Sequence, residues 1–156
     1  MTIRRAQQKD MPAINNLLAQ VLEVHHRGRP DIFKSHVKKY TDAELLDILQ
    51  DEKKPIFVVT DEEDSVLGYA FCICKEVKNN TILVDSKTLY IDDLCVDENR
   101  RGQHIGKALY DYVLQYAKES GCSSLTLNVW ECNPSARKFY EKQGLIPQRT
   151  IMETLL

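Results

Sequence analysis

Two periods of apolar positions run along this chain, and each change of period marks an element boundary. Thr2-Ile3-Arg4-Arg5-Ala6 alternates briefly as a strand does, and Asp10-Met11-Pro12 then supplies the acid and early proline of a helix start. Ile14, Leu17, Leu18, Val21 and Leu22 recur at spacings of three and four, so the pattern predicts an amphipathic helix to about Val24, laid on a core. No period holds from His25 to Phe33. Two histidines, two arginines, Gly28 and Pro30 predict a loop or broken helix there, a kind of segment that often carries recognition. A second helix is predicted from Tyr40 to near Gln50, capped by Thr41 or Asp42. Pro55 to Thr60 and Val66 to about Glu76 read as a hairpin around the acidic turn Asp61-Glu62-Glu63-Asp64-Ser65, and Lys78-Asn79-Asn80 marks another turn.

From Lys87 the alternation carries an anomaly. Leu89 and Ile91 set an apolar phase on odd positions, whereas Leu94 and Val96 continue it on even ones, so the strand slips by one residue at Asp92-Asp93. A slip of one residue is the mark of a β-bulge. Two carboxylates inside an apolar strand are costly unless they reach water or partners, and a bulge there splays the strand from its neighbour. Such a local conflict is where a functional site is expected. After the turn Asp97-Glu98-Asn99-Arg100 and the segment Arg101 to Gly106, a strong helix buries Ile105, Ala108, Leu109, Tyr112, Val113 and Tyr116 and stops at Gly121. Ser123 to Trp130 alternates as a strand, parallel to the preceding one because a helix separates them. Asn133 and Pro134 suit the N-cap and first position of a last helix that carries Ala136, Phe139 and Tyr140 and ends at Gly144. Leu145-Ile146 and Thr150 to Leu155 read as short closing strands. The fold class expected is α/β (α+β), with a mixed central sheet, a bulged and splayed central strand and flanking helices, in one domain over residues 1–156.

Composition narrows the function classes. The 156 residues, 43% of them apolar, suffice for a core, and 21 Lys plus Arg against 23 Asp plus Glu leave a net charge of −2. That balance lacks the basic excess a phosphate backbone demands, so no nucleic-acid partner is expected. Apolar runs fall far short of the roughly 20 residues a bilayer span needs, and Met1-Thr2-Ile3-Arg4-Arg5 has no apolar signal core, so no membrane partner is expected either. Cys72, Cys74, Cys95, Cys122 and Cys132 are an odd set in a chain that needs no staples, which suits a reducing, cytoplasmic setting. Cys72 and Cys74 share a strand face as core filling, and no Cys or carboxylate lies at zinc spacing from His25 and His26, so no metal is expected.

The chemistry concentrates after residue 90. A strand, a short turn with Gly102 and Gly106, and a helix N-terminus together form an anion site, since free backbone N–H groups and the helix dipole point at one place. The pattern is neither the dinucleotide glycine fingerprint nor the P-loop. Asp93-Leu94-Cys95-Val96-Asp97, then Arg101-Gly102-Gln103-His104-Ile105-Gly106-Lys107-Ala108-Leu109, then Asn133-Pro134-Ser135-Ala136-Arg137-Lys138-Phe139-Tyr140-Glu141-Lys142-Gln143-Gly144-Leu145, at this spacing and in this order of elements, resemble the GNAT superfamily of acetyl-CoA-dependent N-acetyltransferases. The core motifs are nearest its diamine acetyltransferase-like branch.

The resemblance implies acetyl-CoA as co-substrate. Its pantetheine arm would lie along the backbone of Leu94, Cys95 and Val96, and its pyrophosphate would sit in the turn of Arg101, Gly102, Gln103, His104, Ile105, Gly106 and Lys107. His104 stands where the family's first glycine of the turn lies, and binding is expected to survive because the anion needs only the backbone N–H. Asn133, with Ala136, would contact the pantetheine or hold the last helix, and Tyr140 would lie by the thioester sulfur. Attack on a thioester needs a neutral amine, and an alkyl ammonium has a pKa of roughly 10.4, so a base is required. Asp92 and Asp93 are the acidic candidates at the bulge, with Asp92 favoured by the branch resemblance. The Tyr140 phenol can donate to the departing thiolate. Cys95 reads as packing, not as an acyl carrier. A small primary amine, polyamine-like because two acids flank its path, is the expected acceptor, although Arg27 and Arg29 could equally bind an acidic one. The alternatives are a protein N-terminal or lysine acetyltransferase, a noncatalytic CoA-binding module, or a phosphate-ligand domain unrelated to CoA. A homodimer is a further expectation from the resemblance.

Overall fold

Nine elements organise the chain in a computed structural model that describes residues 1–156. They are β1 (Thr2–Arg5), α1 (Met11–Gly28), α2 (Asp42–Gln50), β2 (Ile56–Thr60), β3 (Val66–Val77), β4 (Ser86–Val96), α3 (Ile105–Glu119), β5 (Ser124–Leu127) and α4 (Pro134–Lys142). The five strands form one mixed sheet in the order β1-β2-β3-β4-β5, antiparallel up to β4, with β5 parallel to β4. Helix α3 is the crossover that allows the parallel pair.

Alternation along the strands sends side chains to two separate cores. On one face Ile14, Leu17, Leu18 and Leu45 of α1 and α2 pack with Ile56, Val58, Tyr69 and Phe71. On the other, Ile105, Leu109, Val113 and Ala117 of α3 pack with Phe57, Val59, Ala70 and Cys72. Thr41 caps α2 by accepting a hydrogen bond from the Glu44 N–H, while the Glu44 carboxylate accepts one from the Thr41 N–H. The start of α1 is tied to β1 by Arg4, whose guanidinium donates to the buried Asp10 carboxylate at 2.8 and 3.0 Å.

The bulge lies where the phase slip predicts it. Phe71 pairs with Asp93 and Cys72 with Ile91, which leaves Asp92 as the extra residue of β4. Its effect is visible in the packing: Leu89 and Ile91 belong to the α3 core, whereas Cys95, at the same parity, belongs to the α1 core.

Three expectations are corrected. Helix α1 does not break at His25 but continues to Gly28, where a β-carbon would lie 2.6 Å from the Cys132 sulfur and glycine permits the close approach. Strand β5 stops at Leu127 rather than Trp130, because β4 bends away beyond Ile91 and leaves it no partner. Leu145-Ile146 and Thr150 to Leu155 form no strand: residues 146–156 make no backbone hydrogen bond within the chain, and Ile146, Ile151, Met152 and Leu155 stay exposed.

Candidate active site

Splaying of the central strand creates the cavity. Strands β4 and β5 pair only from Thr88 with Ser124 to Ile91 with Leu127. Beyond that point β4 continues along β3 as far as Val96, while Asn128, Val129 and Trp130 diverge from it. The wedge between them, closed by α3 and α4, is a cavity of about 650 Å³. Backbone groups of Asp92 to Val96 that would otherwise pair with β5 have no strand on that side, as an extended ligand could add to them. Of the residues singled out in the sequence, Asp92, Asp93, Leu94, Cys95, Val96, Asn133, Ala136 and Tyr140 all line the cavity. So does the turn from Arg101 to Lys107, except Gln103, which lies outside the lining.

At the turn the backbone donors are unspent. No backbone N–H from Arg101 to Lys107 finds an acceptor within the chain; the first α3 bond is that of Ala108 to the His104 carbonyl, at 3.0 Å. Gly102 (φ +78) and His104 (φ +59) both take the left-handed conformation, which turns successive N–H groups toward one concavity. His104 is the N-cap of α3 yet makes no side-chain capping bond, so the helix N-terminus stays open. Arg100, Arg101, Lys107 and Lys142 also line the cavity, Lys107 while paired with Asp111. Orphan amides and a helix of fifteen residues behind them, with Arg101 in the same turn, fit a diphosphate.

The acidic end is organised by side chains from β3, β4, α1 and the segment between α1 and α2. Asp93 accepts a hydrogen bond from the Tyr69 hydroxyl at 2.8 Å, and its side chain is 12% exposed. Lys39, from the segment between α1 and α2, places its Nζ 3.5 Å from Asp92 Oδ2 and 3.9 Å from Asp93 Oδ2. Burial pushes the Asp93 carboxyl above the usual carboxylate range, and this outweighs the opposing pull of Lys39, Tyr69 and His25. Burial works against the charge on Lys39 too, but the charges of Asp93, Tyr40 and Asp92 prevail and raise it, so the ammonium persists. His25 is lowered by its own desolvation and stays neutral at pH 7, beside a wall in which its ring lies 4.9 Å from Phe33 and Phe33 meets Trp130 edge-on at 5.0 Å.

Tyr140 is held on α4 by Asn133, whose side chain accepts from the Ala136 N–H and fixes the helix start. Its phenol is raised first by burial and then by the Asp93 charge, so it is a protonated donor across the neutral range. Cys95 is pushed up to about 12 by burial, and its thiol points to the Leu17 carbonyl at 3.8 Å, within the core. An inert structural thiol has these properties.

Lys39 and Tyr69 carry no functional signal in the sequence. Tyr69 falls in an apolar strand and reads as core, and Lys39 belongs to a segment without period. His25 was marked only as part of a recognition segment. No group of three His, Cys, Asp or Glu side chains is arranged to hold a metal ion. No helix is long and apolar enough to cross a membrane.

The fold and the sequence have counterparts among known proteins. The BH1408 protein of Bacillus halodurans, solved as a point mutant, superposes with a TM-score of 0.96 at 32% identity, covering 100% of this chain and 99% of that one. An aminoglycoside N-acetyltransferase solved in complex with CoA shares the fold, with a TM-score of 0.73 at 15% identity over 99% of this chain and 98% of that one. In sequence, the glucosamine 6-phosphate N-acetyltransferase of Arabidopsis thaliana is 26% identical over 56% of this chain and 71% of that protein. The family model of the acetyltransferase (GNAT) family matches residues 18–145, and the chain belongs to that family of N-acetyltransferases.

Proposed function

We propose that this protein transfers the acetyl group of acetyl-CoA to the primary amine of a small molecule, by direct attack and without an acetyl-enzyme. The observation that carries this reading is the convergence, in one cavity, of an orphan-amide anion cradle, an unpaired stretch of β4, a desolvated carboxylate at Asp93 and a protonated phenol at Tyr140. The amides of Arg101 to Lys107 take the pyrophosphate, and the backbone of Leu94, Cys95 and Val96 takes the pantetheine arm like an added strand.

Acetyl-CoA supplies an activated thioester, and the residues of the chain do the rest. The amine loses its proton toward Asp93, directly or through one water, and attacks the thioester carbonyl. The carbon–sulfur bond breaks, and the thiolate leaves onto a hydrogen bond from Tyr140. Asp93 suits the base role better than Asp92, the residue the branch resemblance favours, because its raised pKa narrows the gap to the ammonium. Since the Tyr140 phenol is raised, it stabilises the thiolate as a donor rather than ionising itself.

The acceptor follows from the charge balance. Lys39 already neutralises part of the Asp92–Asp93 pair, so this end of the cavity holds one small ammonium rather than a long polycation. Arabidopsis glucosamine 6-phosphate N-acetyltransferase, a relative, is named for an amino sugar, which fits the same class. His25 and Trp130, which line the cavity and are bridged by Phe33 behind them, offer such a ring an apolar face.

The test is release of free CoA thiol from acetyl-CoA across a panel of amino sugars, aminoglycosides, polyamines, amino acids and peptides, with Tyr140→Phe and Asp93→Asn alongside. Turnover with one small-amine class, reduced about a hundredfold or more in each variant, is the expected result. Turnover confined to peptides would overturn the acceptor assignment. Tight acetyl-CoA binding with no turnover on any amine would favour the noncatalytic module.

A further inference from the structure

Where β4 and β5 pair, one face of the sheet lies outside both cores. Helices α1 and α2 pack chiefly on β2 and β3, while α3 packs on the opposite face, where Leu89 and Ile91 belong to its core. Alternation sends Thr88 and Tyr90 the other way, and neither belongs to a core. The side chains there are polar: Thr88 and Ser124 share a hydrogen bond at 2.8 Å, and the Tyr90 hydroxyl accepts one from the Asn128 amide at 3.1 Å. Tyr90, Asp92 and Asn128 all line the cavity, so this face runs into the acidic end, where the acceptor amine belongs.

Two cations converge on Tyr90. Lys75 holds its Nζ 3.7 Å from the centroid of the Tyr90 ring, and its neighbour Glu76 is taken by Lys78, so Lys75 has no carboxylate partner. Burial raises the Tyr90 phenol and keeps it protonated, and the charge of Arg149, in the segment after α4, pulls the other way as that of a nearby cation does. Arg149 forms no ion pair within the chain, and the nearest acid, Asp92, is engaged by Lys39. The Tyr90 hydroxyl accepts from Asn128 and donates to no group of the chain, so its own proton is free. Arg27 and Arg29, named above as candidates for an acidic acceptor, do not line the cavity, and Arg29 is engaged by Asp31 and Glu153.

We infer that the acceptor amine also carries an anionic group, a carboxylate or a phosphate, which Lys75, Arg149 and the Tyr90 hydroxyl hold while the ammonium enters at Asp92 and Asp93. Tyr90 precedes Asp92 by two positions on the same strand, so the two charges of the acceptor stand about 7 Å apart at roughly 3.3 Å per residue. An α-amino acid, with both charged groups on one carbon, is too short to reach both. The spacing fits groups at the two ends of a short carbon chain or across a sugar ring. This inference rests on the acetyl-transfer reading and adds the chemical class of its acceptor.

Calorimetry on the full chain saturated with CoA reads acceptor binding without turnover. The probes are matched pairs: δ-aminovalerate against δ-aminovaleramide, aminobutyl phosphate against aminobutanol, and glycine against glycinamide as the short pair. The anionic member of a long pair should bind about tenfold more tightly, as two exposed ion pairs and one hydrogen bond supply together, and the glycine pair should not differ. The long pair with the larger ratio tells carboxylate from phosphate. In the double variant Lys75→Gln, Arg149→Gln, whose substituted side chains are exposed, the ratio should fall to near one, with circular dichroism verifying the fold. Equal affinities within both long pairs in the unmodified protein would overturn the proposal. So would a preference that survives the double substitution, or one that the glycine pair shows equally. Because binding is read on the CoA complex, a protein that shows the preference yet releases no CoA thiol from acetyl-CoA with either anionic probe would overturn the acetyl-transfer reading alone.

Discussion

Replacing Lys39 with methionine isolates the charge that opposes burial at Asp93. Methionine keeps most of the side-chain volume over the Tyr40 ring, where the Nζ now sits 5.3 Å from the centroid, and removes only the cation. Asp93 is raised by desolvation and pulled back by Lys39, so deleting Lys39 lets it rise further. At the observed 3.9 Å separation the Coulomb attraction is about 4 kcal/mol at an effective dielectric of about 20 and about 1 kcal/mol in bulk water. At 1.36 kcal/mol per pH unit, that brackets an upward movement of roughly 0.7 to 3 units. Lys39 is 29% exposed and Asp93 12%, so solvent screening places the result in the lower half, about 1 to 2 units. Carbon-detected NMR of protein labelled at the aspartate carboxyls reads the Asp93 midpoint without any acceptor. The acid limb of kcat/KM should move up with it, since the ionised carboxylate is the active form. An Asp93 midpoint that stays put or falls in Lys39→Met would refute the account of the acid pair.

Asp93→Asn should raise the midpoint of thermal unfolding at pH 7 while suppressing turnover. The sign follows from the raised pKa: the folded protein binds this proton more readily than the unfolded chain, so the ionised group opposes folding above its folded pKa. The advantage of the variant should therefore shrink as pH falls through that pKa toward the unfolded value, and a variant less stable than the parent at pH 7 would contradict the assignment. His104→Gly should stabilise the chain by up to about 1 kcal/mol, because a non-glycine residue at φ +59 is strained, and should leave acetyl-CoA affinity within about threefold by calorimetry, because the cradle is made of backbone amides. Cys95→Ala should retain turnover and the parent should resist alkylation by iodoacetamide at that site, since a thiol pushed up to about 12 is neither nucleophile nor acyl carrier. Arg101→Gln should weaken acetyl-CoA binding and flatten its dependence on salt concentration, as expected for a cation at the diphosphate end of the cavity.

Legibility of the fold in the sequence tracked how local each cause is. The slip of apolar parity around Asp92 is a one-dimensional signal, and it located the bulge and the splay of β4 because a strand has only two faces. The turn from Arg101 to Lys107 was legible for a similar reason, since helix initiation by a glycine-bearing loop is written in consecutive residues. The extension of α1 to Gly28 was not legible, because His25 to Phe33 shows no period, and the approach of Cys132 to Gly28 from about a hundred positions away leaves no local trace in the sequence. Lys39 was hidden in the same way. Nothing within its segment distinguishes it from Lys38, which pairs with Asp42 on the surface, and only tertiary approach to Asp92 and Asp93 sets it apart.

The site shows why its two halves arrive together. One extra residue at Asp92 reverses the facing of every residue after it, which turns Cys95 into the α1 core and directs the end of β4 away from β5. The same divergence that leaves β4 with a free backbone edge also opens the space in front of α3, whose first N–H groups have no partner. A regular strand at this position would pair with Asn128 to Trp130, close the wedge and strand the Asp93 carboxylate in a dry core with only Tyr69 to donate to it. Deleting Asp92 outright should therefore do more than remove a carboxylate. It should restore regular alternation with Asp93 to Val96 on their present β3 partners and faces, remove the bulge that turns β4 from β5, close the wedge and abolish acetyl-CoA binding, whereas Asp92→Ala should keep the bulge and the affinity. Equal losses of binding in the deletion and the substitution would mean that the charge of Asp92, and not the extra residue, is what holds the cavity open.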